Sequence, residues 1–192
     1  MDKVRCQWSD KDPLMIRYHD EEWGTPLFED QKLFEYIVLD TFQAGLNWRM
    51  ILKKREHFRK AFSDFNPGII ALFNEKEITS LLGNKEIIRN KAKIIATINN
   101  AGKFLDIQKD FGTFSSYIWS FTGNESIHNS WTDISQIPSS SELSDRISRE
   151  LIKLGFKFAG TTIVYAFLQA IGIVNDHTVD CFRYDEIRQM RR

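Results

Sequence analysis

Two cysteines and two of the four histidines form a set of residues whose types suit metal binding. Cys6 and His19 lie near one end of the chain, and His177 and Cys181 lie near the other. Two thiolates and two imidazoles are the ligands of a closed tetrahedral Zn²⁺ site, which is structural because no coordination position is left for water. Their softness favours zinc over magnesium or calcium. The residues alone leave open two unrelated buried cysteines with two surface histidines, or a disulfide, which a reducing compartment disfavours.

Four aromatic side chains and one carboxylate form a second candidate site. Trp8, Tyr18, Trp23 and Trp48 lie outside the regular apolar stripes, and Asp40 lies at the end of the first strong helical pattern. Such rings can stack on an extruded nucleobase, and a carboxylate can accept hydrogen bonds from the edge of that base. The simpler interpretation places these aromatic residues in the core or at its edge.

A glycine-bounded turn is the third candidate site. Gly155 and Gly160 enclose Lys157 between two helical patterns, and glycine is used where backbone bends freely or approaches another group closely. Free backbone N–H groups beside a helix N-terminus can bind phosphate. Beyond the second helix, His177 and Cys181 are four positions apart and would share a face if a helical turn continued there.

Helical patterns predict the elements that must position these groups. Apolar residues recur at helical spacing, and no segment shows sustained alternation with period two. We therefore predict an all-α fold of many short helices. In chain order, we expect an irregular segment over 1–27, helices over 30–45 and 47–62, helix starts at Asn66 and at the capping box of Asn74, a long helix over 86–108, a helix over 114–121, an exposed connection over 122–140 and a helix capped by Ser141.

Length and charge limit the class of protein. The 192 residues, 42% of them hydrophobic, fit one globular domain or a domain with a small subdomain. The formal net charge is zero, so a basic surface for nucleic acid would have to be local. The basic run over 47–62 is one candidate, although a solvated helix face is the usual explanation, and a purely structural helical scaffold stays open. Apolar runs are too short to span a membrane, and the N-terminus lacks an apolar signal core, so we expect a cytoplasmic protein.

Longer motifs spread over nearly the whole chain carry a family resemblance. They are Cys-x-Trp at 6–8, DPL at 12–14, YHDEEWG at 18–24, QAGLNW at 43–48, LKKRE at 52–56, GFKFAGTT at 155–162 and VNDH at 174–177, followed by Cys181. Together they are similar to the 3-methyladenine DNA glycosylase I family of the helix-hairpin-helix base-excision enzymes. The resemblance implies a monofunctional glycosylase that flips N3-methyladenine out of double-stranded DNA and hydrolyses its N-glycosidic bond.

The resemblance also implies an architecture and a cofactor. We expect a single glycosylase domain over 1–192 that acts as a monomer, with a helical body over 28–174 and a helix-hairpin-helix near 142–174. One structural zinc ion, held by Cys6, His19, His177 and Cys181, would tie the segment 1–27 to the segment 175–192. His57 and His128 lack such company and are interpreted as ordinary surface residues.

Roles for individual residues follow from the same resemblance. Asp40 takes the place of the family's base-reading carboxylate, which is usually glutamate, among the base-binding rings of Trp8, Tyr18, Trp23 and Trp48. The expected DNA contacts are Gln43, Leu46, Gly155, Lys157 and Gly160, with Leu46 either a wedge in the vacated stack or a hydrophobic residue at a helix cap.

Three departures from family patterns bear on mechanism. Aspartate at position 40 is one methylene shorter than glutamate, which draws its oxygens back by about 1.5 Å. A zinc-stabilised DNA-binding module with weak or no glycosylase activity is therefore the alternative. Thr161 and Thr162 occupy the neighbourhood of the lysine that lyase members carry. Asn175 stands where many superfamily members have a catalytic aspartate, and Asp176 is out of register with that position.

Overall fold

The computed structural model describes residues 3–9 and 11–190, so the outermost residues of the two predicted terminal segments, and position 10, lie outside the described residues. The prediction of an all-α fold is confirmed there. The helices are α1 (Pro13–Glu21), α2 (Asp30–Gln43), α3 (Trp48–Ala61), α4 (Pro67–Ile70), α5 (Glu75–Gly83), α6 (Lys91–Phe111), α7 (Phe114–Ser120), α8 (Glu142–Lys153), α9 (Thr161–Ala170) and α10 (Phe182–Gln189). Short 3-10 turns occur at Gln7–Ser9, Ser63–Phe65 and Ile134–Gln136, and the two-residue strands β1 (Ile127–His128) and β2 (Val174–Asn175) pair in parallel. Within this range no helix combines the length and apolar character that a bilayer span requires.

Side-chain caps determine where the helices begin, and they correct two expected boundaries. Residues 1–27 are not irregular throughout, because Asp12 accepts a hydrogen bond from the Leu14 N–H and starts α1. The long helix α6 starts later than position 86, because Asn90 accepts from the N–H of Lys93 and caps it there. The helix starts predicted at Asn66, Asn74 and Ser141 are confirmed, since each of these side chains accepts a backbone hydrogen bond.

Helix α2 lies at the centre of the core and contacts α3, α6, α7 and α9. Its side chains Leu33, Phe34, Leu39 and Phe42 are fully buried. Burial of large apolar groups is the main stabilising contribution to a fold of this kind. Because Asp40 follows Leu39 on the same helix, this packing also fixes where its carboxylate lies.

The turn between α8 and α9 is held against α6. The Asn100 side chain donates to the Lys157 carbonyl at 2.9 Å and accepts from the Lys157 N–H at 2.8 Å. The neighbouring Asn99 donates to the Gly155 carbonyl at 2.8 Å. These hydrogen bonds give the glycine-bounded turn a defined position relative to the core.

The segment after α1 crosses the turn after α9 at Gly172. This glycine has φ of +76°, and a Cβ atom there would lie 2.5 Å from the backbone nitrogen of Pro26. Leu27 N–H donates to the Ile171 carbonyl, and Gly24 N–H donates to the Gln169 carbonyl, both at 3.0 Å. The crossing therefore requires glycine, both for its backbone conformation and for the close approach.

Candidate active site and metal centre

Cys6, His19, His177 and Cys181 converge in one buried cluster, and their ligand atoms all lie within 4.8 Å of one another. His177 Nδ1 lies 3.5 Å from the Sγ atom of each cysteine, and His19 Nε2 lies 3.4 Å from Cys181 Sγ. In a tetrahedral zinc site the Zn–S and Zn–N bond lengths place neighbouring sulfur and nitrogen atoms about 3.5 Å apart. The cluster therefore fits a metal ion held by two thiolates and two imidazoles.

Neighbouring acceptors orient both imidazoles toward the centre of the cluster. His19 Nδ1 lies 2.8 Å from Asp20 Oδ1, and His177 Nε2 lies 3.0 Å from the Trp23 carbonyl. Because an ionised carboxylate and a carbonyl can only accept, these nitrogens carry the protons. His19 Nε2 and His177 Nδ1 therefore direct their lone pairs at the cysteines, as metal-ligating histidines do when their other nitrogen is hydrogen-bonded.

The two cysteines are free thiols rather than a disulfide. The hydrogen bond with Cys6 is the largest cause that lowers the pKa of Cys181, to about 2, and the same contact together with burial raises the pKa of Cys6. One thiolate is therefore favoured at this site, as a metal ligand requires. No helical turn joins His177 to Cys181, because Cys181 is the N-cap of α10 and the residues before it are not helical.

A cavity of about 420 Å³ opens beside this cluster. That volume is within the range of small-molecule sites, about 300–1,000 Å³. The residues that the sequence analysis placed in a base-binding role all line it, and so does Gln43: Trp8, Tyr18, Trp23, Asp40 and Trp48. Other lining residues were missed, among them Met15, Asn47, Arg49, Ile134, Ile137, Ala166 and Gln169.

The aromatic rings form a continuous wall of the cavity, and this wall contacts the Cys/His cluster. Trp8 and Trp23 meet edge to face with 4.8 Å between ring centroids, and Tyr18 lies 5.2 Å from Trp48. On the far side, the Trp23 ring lies 4.6 Å from the His177 ring. Since Trp23 contacts both the cavity and a candidate metal ligand, the metal centre and the cavity share a wall.

Asp40 is 2% exposed, and its Oδ2 atom has no hydrogen-bond partner among the described residues. Burial raises the pKa of this carboxyl well above its ordinary value. Trp48 Nε1 is likewise buried and without a partner in that part of the chain. An unpaired buried polar group costs about 1–3 kcal/mol, so two of them on one cavity indicate a site built for a polar ligand.

The expected DNA contacts lie on two loops. Leu46 is 37% exposed in the loop after α2. Buried Lys93 fixes this loop by donating to the carbonyls of Phe42 and Ala44 at 2.8 and 2.6 Å. In the other loop, Lys157 is exposed.

Some backbone N–H groups in the second loop already donate hydrogen bonds within the protein. The Gly155 N–H donates to the Ile152 carbonyl and the Lys157 N–H to Asn100, so neither amide is free for phosphate. Gly160 directly precedes α9, whose first turn has no side-chain cap. The N-terminus of α9 and the Lys157 ammonium are therefore groups in this loop that an anion could contact.

Two other expectations concern the surface of α3 and the connection over 122–140. Much of the positive charge of α3 stabilises the fold, because Arg55 and Arg59 each contact the buried Glu35 at 2.7 Å and Arg49 pairs with Asp12. The connection over 122–140 is exposed or partly exposed throughout, as expected, and two of its residues also line the cavity.

The positions that could carry lyase or acid–base chemistry lie elsewhere. Asn175 is fully buried, and its side chain donates to the Tyr184 carbonyl at 3.3 Å. Thr161 shares a hydrogen bond of 2.8 Å with Ser144. Within the described chain, the cavity lining contains no lysine, and Arg49 is its only basic residue.

The helical fold, the aromatic cavity and the Cys/His cluster fit the DNA glycosylase class of proteins. Comparison with known proteins identifies the family. The methyladenine glycosylase family model matches residues 8–184. DNA-3-methyladenine glycosylase 1 of Escherichia coli (strain K12) is 45% identical over 180 residues, which cover 94% of this chain and 96% of that protein. DNA-3-methyladenine glycosylase of Haemophilus influenzae is 44% identical, with 93% and 96% covered.

A solved structure agrees with these relatives. A tyrosine-to-phenylalanine variant of 3-methyladenine DNA glycosylase I in complex with 3-methyladenine matches with a TM-score of 0.91 at 32% identity, covering 94% of this chain and 97% of that one. The chain belongs to the methyladenine glycosylase family, as its motifs predicted.

Proposed function

We propose that this chain excises N3-methyladenine from alkylated double-stranded DNA by hydrolysing the N-glycosidic bond. The observation that carries the proposal is the buried carboxylate of Asp40, whose Oδ2 atom has no hydrogen-bond partner in the described part of the chain and which lines a cavity walled by aromatic rings. Membership of the methyladenine glycosylase family supports the same conclusion, as do relatives named for this activity at 44–45% identity.

The cavity suits a cationic adenine better than a guanine. N3-methyladenine is positively charged, so it is attracted both to the electron-rich faces of Tyr18 and the tryptophans and to a carboxylate. The exocyclic amino group of adenine donates hydrogen bonds, whereas guanine carries a carbonyl oxygen at the same ring position. Asp40 would accept from the amino group and repel the carbonyl, which gives the cavity a basis for selection.

The reaction needs little acid catalysis. When the glycosidic bond breaks, its electron pair moves to the cationic base, which leaves as neutral 3-methyladenine. A water oxygen then bonds to the sugar carbon C1′, and its proton passes to solvent. We infer hydrolysis without a Schiff-base step, since no lysine is among the described residues of the cavity lining and Thr161 and Thr162 occupy the turn where lyase members carry one.

We also propose zinc as the metal at the cluster of Cys6, His19, His177 and Cys181, in a structural role and with one ion per chain. Two sulfur and two nitrogen ligands at tetrahedral separations support this choice. Zinc there would tie the terminal segments 1–27 and 175–192 onto the helical body 28–174. The chain would act as a monomer with one glycosylase domain over 1–192 and with its thiols reduced in the cytoplasm.

Base release from methylated DNA tests the proposed activity. The native chain should release 3-methyladenine, and Asp40→Glu should hold or raise the rate, because it extends the carboxylate toward the cavity. A misplacement of about 1 Å can cost roughly a hundredfold in rate. If the glutamate places the carboxylate better, the increase in the rate of base release will therefore be measurable. If neither protein releases base, the alternative of a zinc-stabilised binding module takes precedence; no present observation favours that alternative.

Lys157→Ala should weaken binding to damaged and undamaged duplexes by a similar factor. We propose that Gln43, Leu46 and the turn from Gly155 to Gly160 contact DNA, with the exposed Lys157 ammonium on a phosphate. Loss of one phosphate contact lowers the slope of log affinity against log salt by about one. Titration of labelled duplexes at several salt concentrations measures it.

The exposed Lys76 on α5 offers a matched control, because it contacts neither the cavity nor the turn. Lys76→Ala should keep the native salt slope. An unchanged slope in Lys157→Ala would remove this residue from the DNA interface.

A further inference from the structure

Asp176 receives four side-chain hydrogen bonds in a fully buried position outside the cavity lining. Tyr165 Oη and Gln169 Nε2, both on α9, donate to its Oδ2 atom at 2.7 Å. Asn129 Nδ2 and Trp131 Nε1 donate to its Oδ1 atom, also at 2.7 Å. Oδ2 thus accepts hydrogen bonds from α9, and Oδ1 accepts hydrogen bonds from the chain that follows β1.

The chain that follows β1 forms one side of the cavity. We call residues 129–137 the wall segment, because Ile134 and Ile137 within it line the cavity. Apart from a single 3-10 turn, the wall segment has no regular structure of its own. Most of its residues are at least partly exposed, so its position depends on its tethers rather than on deep packing.

Most tethers of the wall segment come from the stretch that also carries a metal ligand, and one, between Ser130 Oγ and Tyr184 Oη at 3.2 Å, comes from α10. Besides the two bonds to Asp176, Val179 N–H donates to the Trp131 carbonyl at 2.8 Å, and Asn129 N–H donates to the Asn175 carbonyl at 3.2 Å. The only one of these tethers that also reaches α9 is Asp176. Gln169, one of its two partners on that helix, also lines the cavity.

A carboxylate is the side chain that this arrangement requires. An ionised carboxylate only accepts, and its two oxygens can satisfy all four donors. Charge assistance makes each of these bonds stronger than a neutral one. An amide would turn one of the two oxygens into a donor, which would face either the pair from α9 or the pair from the wall segment.

We propose that Asp176 is a positioning residue for base recognition, whose carboxylate fixes the wall segment against α9 and so sets the width of the base-binding cavity. The identity of the ligand in this inference rests on the proposed function. The placement of the wall segment by Asp176 does not depend on that function. It gives Asp176 a role different from the catalytic aspartate of other glycosylases, because its oxygens are occupied and lie outside the cavity lining.

Asp176→Asn tests the proposal in the full chain loaded with metal. Three quantities are measured: affinity for free 3-methyladenine, affinity for DNA with an abasic site, and amide hydrogen exchange over 129–137. We expect the affinity for the free base to fall by about tenfold or more, since a tenfold change needs only about 1.4 kcal/mol. Affinity for abasic-site DNA should stay within about twofold of native, and exchange over the wall segment should accelerate.

Trp131→Phe is a milder companion that removes one donor and keeps an aromatic ring. It should lower the affinity for the free base in the same direction by a smaller factor, and it carries the test if Asp176→Asn does not fold. Metal content must stay at the native level in both variants. Loss of metal would assign the effect to the neighbouring His177 and overturn the proposal.

Asp30→Asn is the matched control, because Asp30 accepts hydrogen bonds from the Phe114 and Ser115 N–H groups and from Gln108, and does not line the cavity. It should lower stability and leave base affinity at the native value. If base affinity is native in Asp176→Asn, or falls equally in the control, Asp176 is only a stabilising residue. If the native chain binds no base but exchange over 129–137 still accelerates selectively, the proposed function fails and the positioning role stands.

Discussion

Asp40→Asn should lower release of N3-methyladenine roughly ten- to a hundredfold while leaving the affinity for abasic-site DNA nearly unchanged. The amide keeps the volume of the side chain, but it replaces one acceptor with a donor and removes the negative charge that a cationic base needs. A charge-assisted hydrogen bond contributes about 1.5–3 kcal/mol, and each 1.4 kcal/mol or so is a factor of ten in rate. The proposed phosphate contacts are made by other residues and should be unaffected.

The same substitution should raise the free energy of unfolding at neutral pH. Burial raises the pKa of Asp40 above its ordinary value of 3.8. Folding therefore stabilises the neutral form relative to the unfolded chain, and this stability is fully present below the unfolded pKa and is lost as pH rises through the folded one. Above that range the native protein keeps a buried charge at a cost, which asparagine does not carry.

Chemical denaturation between about pH 4 and pH 8 measures this difference. The excess stability of Asp40→Asn should grow as pH rises through the raised pKa of Asp40. In the control Asp30→Asn, base release should stay native and stability should fall. Base release at the native rate by Asp40→Asn would show that another group reads the base, and Tyr18, which lines the same cavity, is the next candidate.

Protein purified without added metal should contain one zinc ion per chain, and Cys181→Ser should lose it together with much of the stability of the fold. Metal binding to the folded state alone is folding free energy. A ligand present at a thousand times its Kd contributes about 4 kcal/mol. For a chain of this size that corresponds to a fall in Tm of about 8–16 °C. Elemental analysis and thermal unfolding measure the two effects.

His57 supplies the control for this experiment, because it is a half-exposed histidine on α3 whose contact is with the exposed Glu86. His57→Ala should keep the full zinc content and nearly the native Tm. Native protein without zinc, or Cys181→Ser with native zinc content, would contradict the assignment of the cluster. Intact base release after complete removal of zinc would contradict the shared wall between the metal centre and the cavity.

The Cys/His cluster could be predicted only with the help of the family motifs, because the residue types alone also allowed a disulfide or unrelated residues, and two of the four histidines lie outside the cluster. Asp40 and the rings around it were also placed together by their motifs. The wall segment could not be found this way, because Ile134 and Ile137 follow no period and their segment is held by hydrogen bonds to distant residues, among them Asp176. Likewise, the charge of α3 gave no sign of its buried partner Glu35, which lies on another helix.

The late start of α6 shows a different kind of miss. Asn90 is a capping residue and was visible in the sequence, but apolar residues at 87 and 88 fit the helical period of the residues beyond it. The isoleucine at 87 is buried by packing outside any helix. Tertiary contacts can therefore extend an apolar pattern past the point where the backbone stops being helical.

The crossing at Gly172 and the cluster that joins Cys6 to His177 each bring an early part of the chain into contact with a late part. The early residues are therefore synthesised well before these contacts can form. These two ligands are 171 positions apart, and contacts so distant in sequence form late because the chain between them must be ordered first. Trp23 leaves the ribosome early, but its ring gains the contact with His177 only when the far end of the chain follows. A nascent chain halted before these ligands would thus carry Asp40 and the aromatic residues without the support of the cluster, and we expect it to release no base until His177 and Cys181 have been synthesised.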